Sequence, residues 1–204
     1  MRCAVIGGAE IRDYDNARKY LRNDDFIICC DSGLYHAEGL GIKPKLIVGD
    51  FDSHPLPQTD VETIRLPCEK DDTDTVYAVK TALERGFDDF LLLGVCGGRL
   101  DHTLGNVSIL LFLYERNIPA LIADDYGDME IVGAAEKYVT KEYSYFSLLN
   151  ISGRARGIYV ESAKYPLENA RIDCTYQYGI SNEVCGEKAR IRIEDGCMLL
   201  MRIR

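Results

Sequence analysis

Short apolar runs that lack any polar alternation, separated by stretches with helical spacing, do most to limit what this 204-residue chain can fold into. Residues 3–6, Phe26–Cys30, 46–48, 90–95 and 118–123 are apolar on both faces, so each must be covered on both sides. Residues 14–21 carry helical spacing, and Ser32 opens a helix to Leu40 that Gly41 closes. Thr73 can cap a helix with Val76, Val79 and Leu83 on one face, and Gly86 lies just past its end. Asp101 or His102 starts a long helix to about Arg116. Alternation of this kind predicts an α/β fold: a mostly parallel sheet with helices on both faces. Such sheets bind ligands beyond the carboxyl ends of their strands. Three polar clusters fall there: Asp31-Ser32, Gly49-Asp50-Phe51-Asp52-Ser53 and Gly97-Gly98-Arg99-Leu100-Asp101-His102.

From residue 129 the pattern changes. Residues 138–140, Tyr145–Leu149, 158–161, 170–174, 188–193 and Met198–Ile203 are short runs with alternation or β-branched and aromatic content. Turn residues such as Ser152-Gly153, Tyr178-Gly179 and Asp195-Gly196 separate them. That spacing predicts a small antiparallel β-sandwich or barrel. The expected division is therefore residues 1–128 as the α/β domain and 129–204 as the β domain.

The charge is divided as sharply as the pattern. Residues 1–128 carry 13 Lys/Arg against 23 Asp/Glu, while residues 129–204 carry 11 against 10. With no basic stripe, a nucleic-acid surface is not expected. No apolar run approaches the roughly 18 residues of a membrane span, and the first residues read as a strand rather than a signal peptide. Eight cysteines without an export signal point to free thiols and a cytoplasmic location. There is no C-x-x-C or Cys/His cluster, and the three histidines are widely spaced, so zinc is not expected. Cys29-Cys30 reads as a pair of small buried hydrophobes.

Three clusters carry chemistry. In Asp50-Phe51-Asp52 two carboxylates can turn toward one hard cation, although a loop that caps its own backbone would look the same. In Lys70-Asp71-Asp72-Thr73-Asp74, three carboxylates within four residues repel unless a cation or a helix N-terminus offsets them. Capping alone would account for Asp72 and Thr73, and Asp74 suits a first helical turn. In Gly97-Gly98-Arg99-Leu100-Asp101-His102 the glycines admit a close ligand, Arg99 can clamp a phosphate, and Asp101 can cap, bind or act as a base. There is no Walker A loop, and Gly7-Gly8 lacks the later glycine of a dinucleotide fingerprint. Several Asp with one Lys and one Arg suit phosphoryl or pyrophosphoryl transfer.

These motifs together resemble the thiamine pyrophosphokinase family. The resemblance runs nearly end to end, through Cys30-Asp31-Ser32-Gly33, G-D-F-D-S, K-D-x-T-D and G-G-R-x-D-H with Asn106 following. Lys164-Tyr165-Pro166-Leu167 and Gly179-Ile180-Ser181-Asn182 extend it into the second part. It implies transfer of a pyrophosphoryl group from ATP to the hydroxyl of thiamine, with release of AMP. The alternatives are a related transferase acting on another alcohol, or a non-catalytic thiamine or nucleotide sensor.

The resemblance also implies an ATP/Mg2+-binding α/β domain, a thiamine-binding sandwich and a homodimer with the site at the subunit interface. Asp50, Asp52 and Asp74 would then hold magnesium. Asp31, Asp52, Lys70, Gly98 and Arg99 would meet ATP, and Asp101, Ser181 and Asn182 would meet thiamine. Asp71, Asp101 and Arg99 are the catalytic candidates, with Asp71 and Asp101 both open as the base. The acidity of the first part suits thiamine, whose thiazolium ring is a permanent cation. Many relatives have D-G-G where this chain has Asp31-Ser32-Gly33. With no Trp in the chain, Tyr176 or Tyr178 is the candidate to stack on thiamine.

Overall fold

The computed structural model describes residues 1–52 and 58–204, so Ser53 of the G-D-F-D-S motif lies outside the described residues. The chain divides into two compact units, Met1–Asp125 and Tyr126–Arg204.

The first unit holds six strands: β1 (Arg2–Ile6), β2 (Phe26–Cys30), β3 (Leu46–Gly49), β4 (Glu62–Arg65), β5 (Asp89–Leu93) and β6 (Ala120–Ala123). Its helices are α1 (Tyr14–Arg18), α2 (His36–Leu40), α3 (Asp74–Glu84) and α4 (Leu100–Tyr114). The strands pair in parallel in the order β6-β5-β1-β2-β3-β4. The chain steps outward from β1 to β4, then returns to the other side of β1 with β5. Connections therefore diverge between β1 and β5, and a crevice opens there at the carboxyl ends of the strands.

Both faces of this sheet are covered, as the unbroken apolar runs require. On one face Ala4, Ile6, Ile27, Cys29, Leu91 and Leu93 pack with Ala17 of α1 and with Ala37 and Leu40 of α2. The residues between them, including Val5, Ile28 and Leu92, are equally buried, and α3 packs against β1, β2 and β3. Each such Leu or Ile stabilises the fold by about 1.5–3 kcal/mol. Every cysteine is free, and Cys29 and Cys30 are buried core residues.

Local details differ from the sequence pattern for identifiable reasons. The helix expected from Ser32 to Leu40 starts as a 3-10 turn, Asp31–Tyr35, before α2. A Cβ on Gly33 would lie 2.1 Å from the Ile6 carbonyl oxygen, so only glycine lets the chain turn this close to β1. Gly41 closes α2 in the left-handed conformation, φ 68°. Thr73 caps α3, its hydroxyl accepting from Val76 N at 3.3 Å. Neither Asp101 nor His102 caps α4; that position falls to Arg99, without a side-chain bond. The edge strand β4 escaped the apolar pattern because Glu62 and Arg65 keep it charged and exposed, which protects a sheet edge.

The second unit is a two-layer antiparallel sandwich. Its strands are β7 (Gly127–Val132), β8 (Lys137–Thr140), β9 (Tyr145–Leu149), β10 (Arg154–Glu161), β11 (Leu167–Asp173), β12 (Gly179–Asn182), β13 (Lys188–Asp195) and β14 (Met198–Ile203). One layer runs β12-β9-β14-β7 and the other β11-β10-β13-β8. Phe146, Leu148, Met198 and Leu200 from the first meet Val139, Ile158, Val160, Ile172, Ile191 and Ile193 from the second in one core. The pattern did not mark β7, because Asp128 and Glu130 interrupt its apolar residues. Both acids pair with Arg202 of the neighbouring β14, Glu130 at 2.8 Å, and Tyr143 donates to Asp128 at 2.7 Å.

Candidate active site

A cleft of about 420 Å3 opens at the β1–β5 divergence. Gly7, Gly8 and Glu10 after β1 line it, with Asp31 and Ser32 after β2, Thr73 and Asp74 at the start of α3, and Gly97, Gly98 and Arg99 before α4. The β1 loop is tied across the gap, with Gly7 N donating to Leu93 O and Ala9 N to Gly94 O, both at 2.8 Å. A second tie comes from beneath. His36 Nε2 lies 3.0 Å from the Ala9 carbonyl and Nδ1 lies 2.7 Å from Tyr14 Oη. A carbonyl only accepts, so Nε2 carries the proton and Nδ1 accepts from the phenol. Burial lowers the His36 pKa, only partly opposed by the Ala9 bond and the charge of Asp125.

Beside Asp74 lies the acidic centre. Phe51 sits at φ 57°, a strained conformation for a bulky residue, costing roughly 1–3 kcal/mol. This turn brings the flanking carboxylates together: Asp52 N donates to Asp50 Oδ1 at 3.2 Å. Asp50, Asp52 and Cys68 offer ligand atoms all within 4.8 Å of one another. Lys70 Nζ reaches 2.6 Å from Asp50 Oδ2 and 3.1 Å from Asp74 Oδ1, so one ammonium bridges two chain segments. Asp74 Oδ1 is buried, and beyond this ion pair it has no hydrogen-bond partner among the described residues.

The pKa shifts follow from this arrangement. The Lys70 hydrogen bond holds Asp50 below the usual carboxylate range. Burial pushes Asp74 up, because desolvation outweighs the same lysine's help. The two carboxylates share one cation yet shift in opposite directions, since Asp50 is nearer to Lys70 and Asp74 keeps one buried oxygen, Oδ1, out of water. For Lys70, burial opposes the charge but the hydrogen bonds to Asp50 and Asp74 prevail and raise its pKa. Asp74 is joined to the Asp50–Asp52 pair only through Lys70 and is not within 4.8 Å of both as a ligand group. Carboxylate oxygens of this kind are the hard donors a small divalent cation takes.

The loop before α4 is held open. Gly97 and Gly98 have φ of 100° and 62°, a conformation that favours glycine, and Thr103 Oγ1 accepts from Gly97 N at 3.0 Å. Arg99 Nη2 contacts Asp101 Oδ2 at 2.6 Å with both side chains exposed, and this bond holds the Asp101 carboxyl at about 2. Asp31, Gly98, Arg99 and Asp74 thus line the cleft, and Asp50 and Lys70 join it through Asp74. Asp71 is exposed and makes no ion pair among the described residues, whereas Asp72 turns outward to Lys80 at 2.6 Å.

In the second unit Ser181 is exposed at φ 57°, and its N–H donates to Ser147 Oγ at 3.0 Å. Asn182 is buried, and both ends of its amide are used. Oδ1 accepts from Tyr165 N at 3.0 Å, and Nδ2 donates to Tyr165 O at 2.7 Å. Its side chain therefore joins the two motifs around Tyr165 and Ser181. Tyr176 and Tyr178 are exposed with ring centroids 5.4 Å apart.

Residues 17–122 match the family model of the thiamin pyrophosphokinase catalytic domain. The chain belongs to the thiamin pyrophosphokinase family. Residues 135–198 match the companion model of the thiamin pyrophosphokinase vitamin B1 binding domain. The thiamine pyrophosphokinase of Bacillus subtilis is 29% identical over 184 residues, covering 84% of each chain. The crystal structure of the Geobacillus thermodenitrificans thiamin pyrophosphokinase superposes with a TM-score of 0.84 at 28% identity, covering 100% of this chain and 98% of that one. The Bacillus subtilis thiamine pyrophosphokinase structure shares the fold with a TM-score of 0.88 at 24% identity, covering 100% of this chain and 99% of that one.

Within this thiamin pyrophosphokinase fold, three features lie outside the motifs that sequence reasoning picks out. The β1 loop lacks a dinucleotide fingerprint, yet it forms one wall of the cleft. Cys68 lies two residues before Lys70 of the K-D-x-T-D motif, and only the structure places its sulfur beside Asp50 and Asp52. His36 carried no motif at all; only its contacts with Tyr14 and Ala9 reveal it.

Proposed function

We propose that this chain is a thiamine pyrophosphokinase, transferring the terminal pyrophosphoryl group of ATP to the hydroxyl of thiamine and releasing AMP. The observation that supports this most directly is the convergence of Asp50, Lys70 and Asp74 at the edge of a glycine-lined cleft that also holds Arg99. ATP is expected in that cleft, its phosphates toward Lys70, Gly98 and Arg99, with Asp31 alongside. The donor set of Asp50, Asp52 and Asp74 fits Mg2+, a hard cation served by carboxylate oxygens. Magnesium bound there would neutralise charge on the phosphates during transfer.

In the reaction proposed, the thiamine hydroxyl oxygen forms a bond to the β-phosphorus, the bond from that phosphorus to the α–β bridging oxygen breaks, and AMP leaves. Arg99 clamps phosphate oxygens, and Lys70 offsets their charge. The proton passes to a carboxylate. Asp71 and Asp101 are the two candidates to accept it, Asp101 once Arg99 leaves it for the phosphate. Asp101 also lies toward the substrate in this scheme, and Ser181 contacts the thiamine pyrimidine. Asn182 acts through Tyr165 and the backbone of its own motif.

We also propose a homodimer, in which the exposed Leu100 and Leu104 of α4 and the exposed Tyr165, Tyr176, Tyr178 and Ile180 of the sandwich become covered. Eight free thiols suit a cytoplasmic location, and among the described residues no helix is long and apolar enough to cross a membrane. The decisive experiment incubates the protein with ATP and thiamine and identifies the nucleotide product. Thiamine-dependent AMP with thiamine diphosphate is expected. ADP, or AMP release indifferent to thiamine but dependent on another alcohol, would overturn the assignment; binding of both ligands without turnover would make the chain a sensor.

A further inference from the structure

We infer that Lys70 is an internal counter-ion occupying the charge position of the divalent cation, so that metal enters by exchange, as the nucleotide takes over the ammonium group. This rests on the assignment of Asp50, Asp52 and Asp74 as metal ligands. The side chains of Lys70, Asp50 and Asp74 are only 15%, 16% and 21% exposed, and the ammonium lies 2.6 Å and 3.1 Å from the two carboxylates. Partly buried charges at such distances are poorly screened by solvent. Without a cation between them, Asp50 and Asp74 would repel each other across the junction of β3 and α3. Lys70 removes that repulsion, but it carries one charge where a dication carries two.

A free dication arriving alone faces a closed door. It must either sit beside a bound ammonium and be repelled, or force Lys70 into water with no partner. A dication arriving on a polyphosphate brings the missing partner with it, because the phosphate oxygens accept the ammonium as the carboxylates release it. The lysine stays protonated throughout and merely changes anion. Metal and nucleotide are thereby coupled: each binds better when the other is present.

One substitution separates this from a merely structural lysine, because it moves two affinities in opposite directions. Lys70→Met keeps the aliphatic stem and removes the charge. Loss of a competing positive charge at this range should strengthen binding of Mn2+ alone to the nucleotide-free protein by about tenfold or more. The same change should weaken binding of a non-hydrolysable ATP analogue with Mn2+ by a similar factor of about ten. The experiment is a calorimetric titration of full-length wild type, Lys70→Met and Asp50→Asn with Mn2+, with thermal unfolding followed in parallel. Lys70→Met is expected to bind Mn2+ more tightly and to gain more thermal stability from it than wild type, and Asp50→Asn to lose the binding. Equal or weaker Mn2+ binding by Lys70→Met overturns the exchange, and so does Mn2+ binding that Asp50→Asn leaves unchanged. If Lys70→Met does not fold, Lys70→Gln is judged by the same criteria. Thiamine-dependent AMP release by the wild type tests the activity independently of these titrations, so either idea can fail alone.

Discussion

The side-chain amide of Asn106 donates to the Val95 carbonyl at 2.7 Å, a buried bond tying the second turn of α4 to the chain leaving β5. It spans the loop that carries Gly97, Gly98 and Arg99, and Asn106 itself lines the cleft. The motif residue that follows G-G-R-x-D-H thus braces the loop from inside.

Asn106→Leu fills the same space but leaves the Val95 carbonyl without its partner. It is expected to destabilise the protein by about 1–3 kcal/mol. Because the loop is loosened, KM for ATP should rise more than kcat falls. Urea unfolding and steady-state kinetics on the same preparation check both effects.

Asp52→Asn and Asp74→Asn remove charge from the proposed metal ligands without changing their shape. Turnover is expected to fall by at least about a hundredfold, the scale seen when a transition-state charge loses one stabilising group. Stability should hold, and for Asp74→Asn even improve slightly, since burial already opposes the Asp74 charge. Near-normal activity in either variant would remove that residue from the metal site.

Arg99 and Asp101 form an exposed pair whose hydrogen bond holds Asp101 at about 2, against an ordinary 3.8. Asp101 therefore stays ionised down to about pH 2, and the acid limb of the activity profile should not be its titration. In Arg99→Ala its midpoint should return toward 3.8, which a carboxyl-carbon NMR titration can read directly. An unchanged midpoint would mean the pair does not persist in solution.

His36 supplies a pH dependence of the opposite sign to a salt-bridged histidine. Its folded pKa lies below the ordinary 6.5, so the unfolded chain takes up the proton first as pH falls. The stability contributed by neutral His36 is complete above 6.5 and is lost as pH drops through the folded value. The slope of unfolding free energy against pH below 6.5 should shrink in His36→Gln, measured by urea unfolding at several pH values. A slope equal to wild type would discount the burial of this imidazole.

The amino-acid sequence by itself determined the two architectures, because strand burial and helix capping are local matters. Unbroken apolar runs demanded a sheet covered on both faces, and Thr73 and Gly41 mark helix ends as their own chemistry requires. Motif spacing also pointed to Asp31, Asp74, Gly98 and Arg99, which line one cleft in the structure. Less legible were β4 and β7, whose charged residues find their setting only at a sheet edge or against Arg202 of another strand.

Only the tertiary structure decided which carboxylates of the K-D-x-T-D motif face inward. Asp74 and Asp50 meet through Lys70, while Asp72 turns out to Lys80 and Asp71 faces solvent. The left-handed turn at Phe51 and the point where Thr73 starts α3 set those directions. Both depend on how segments twenty residues apart pack together, and sequence spacing holds no record of that packing.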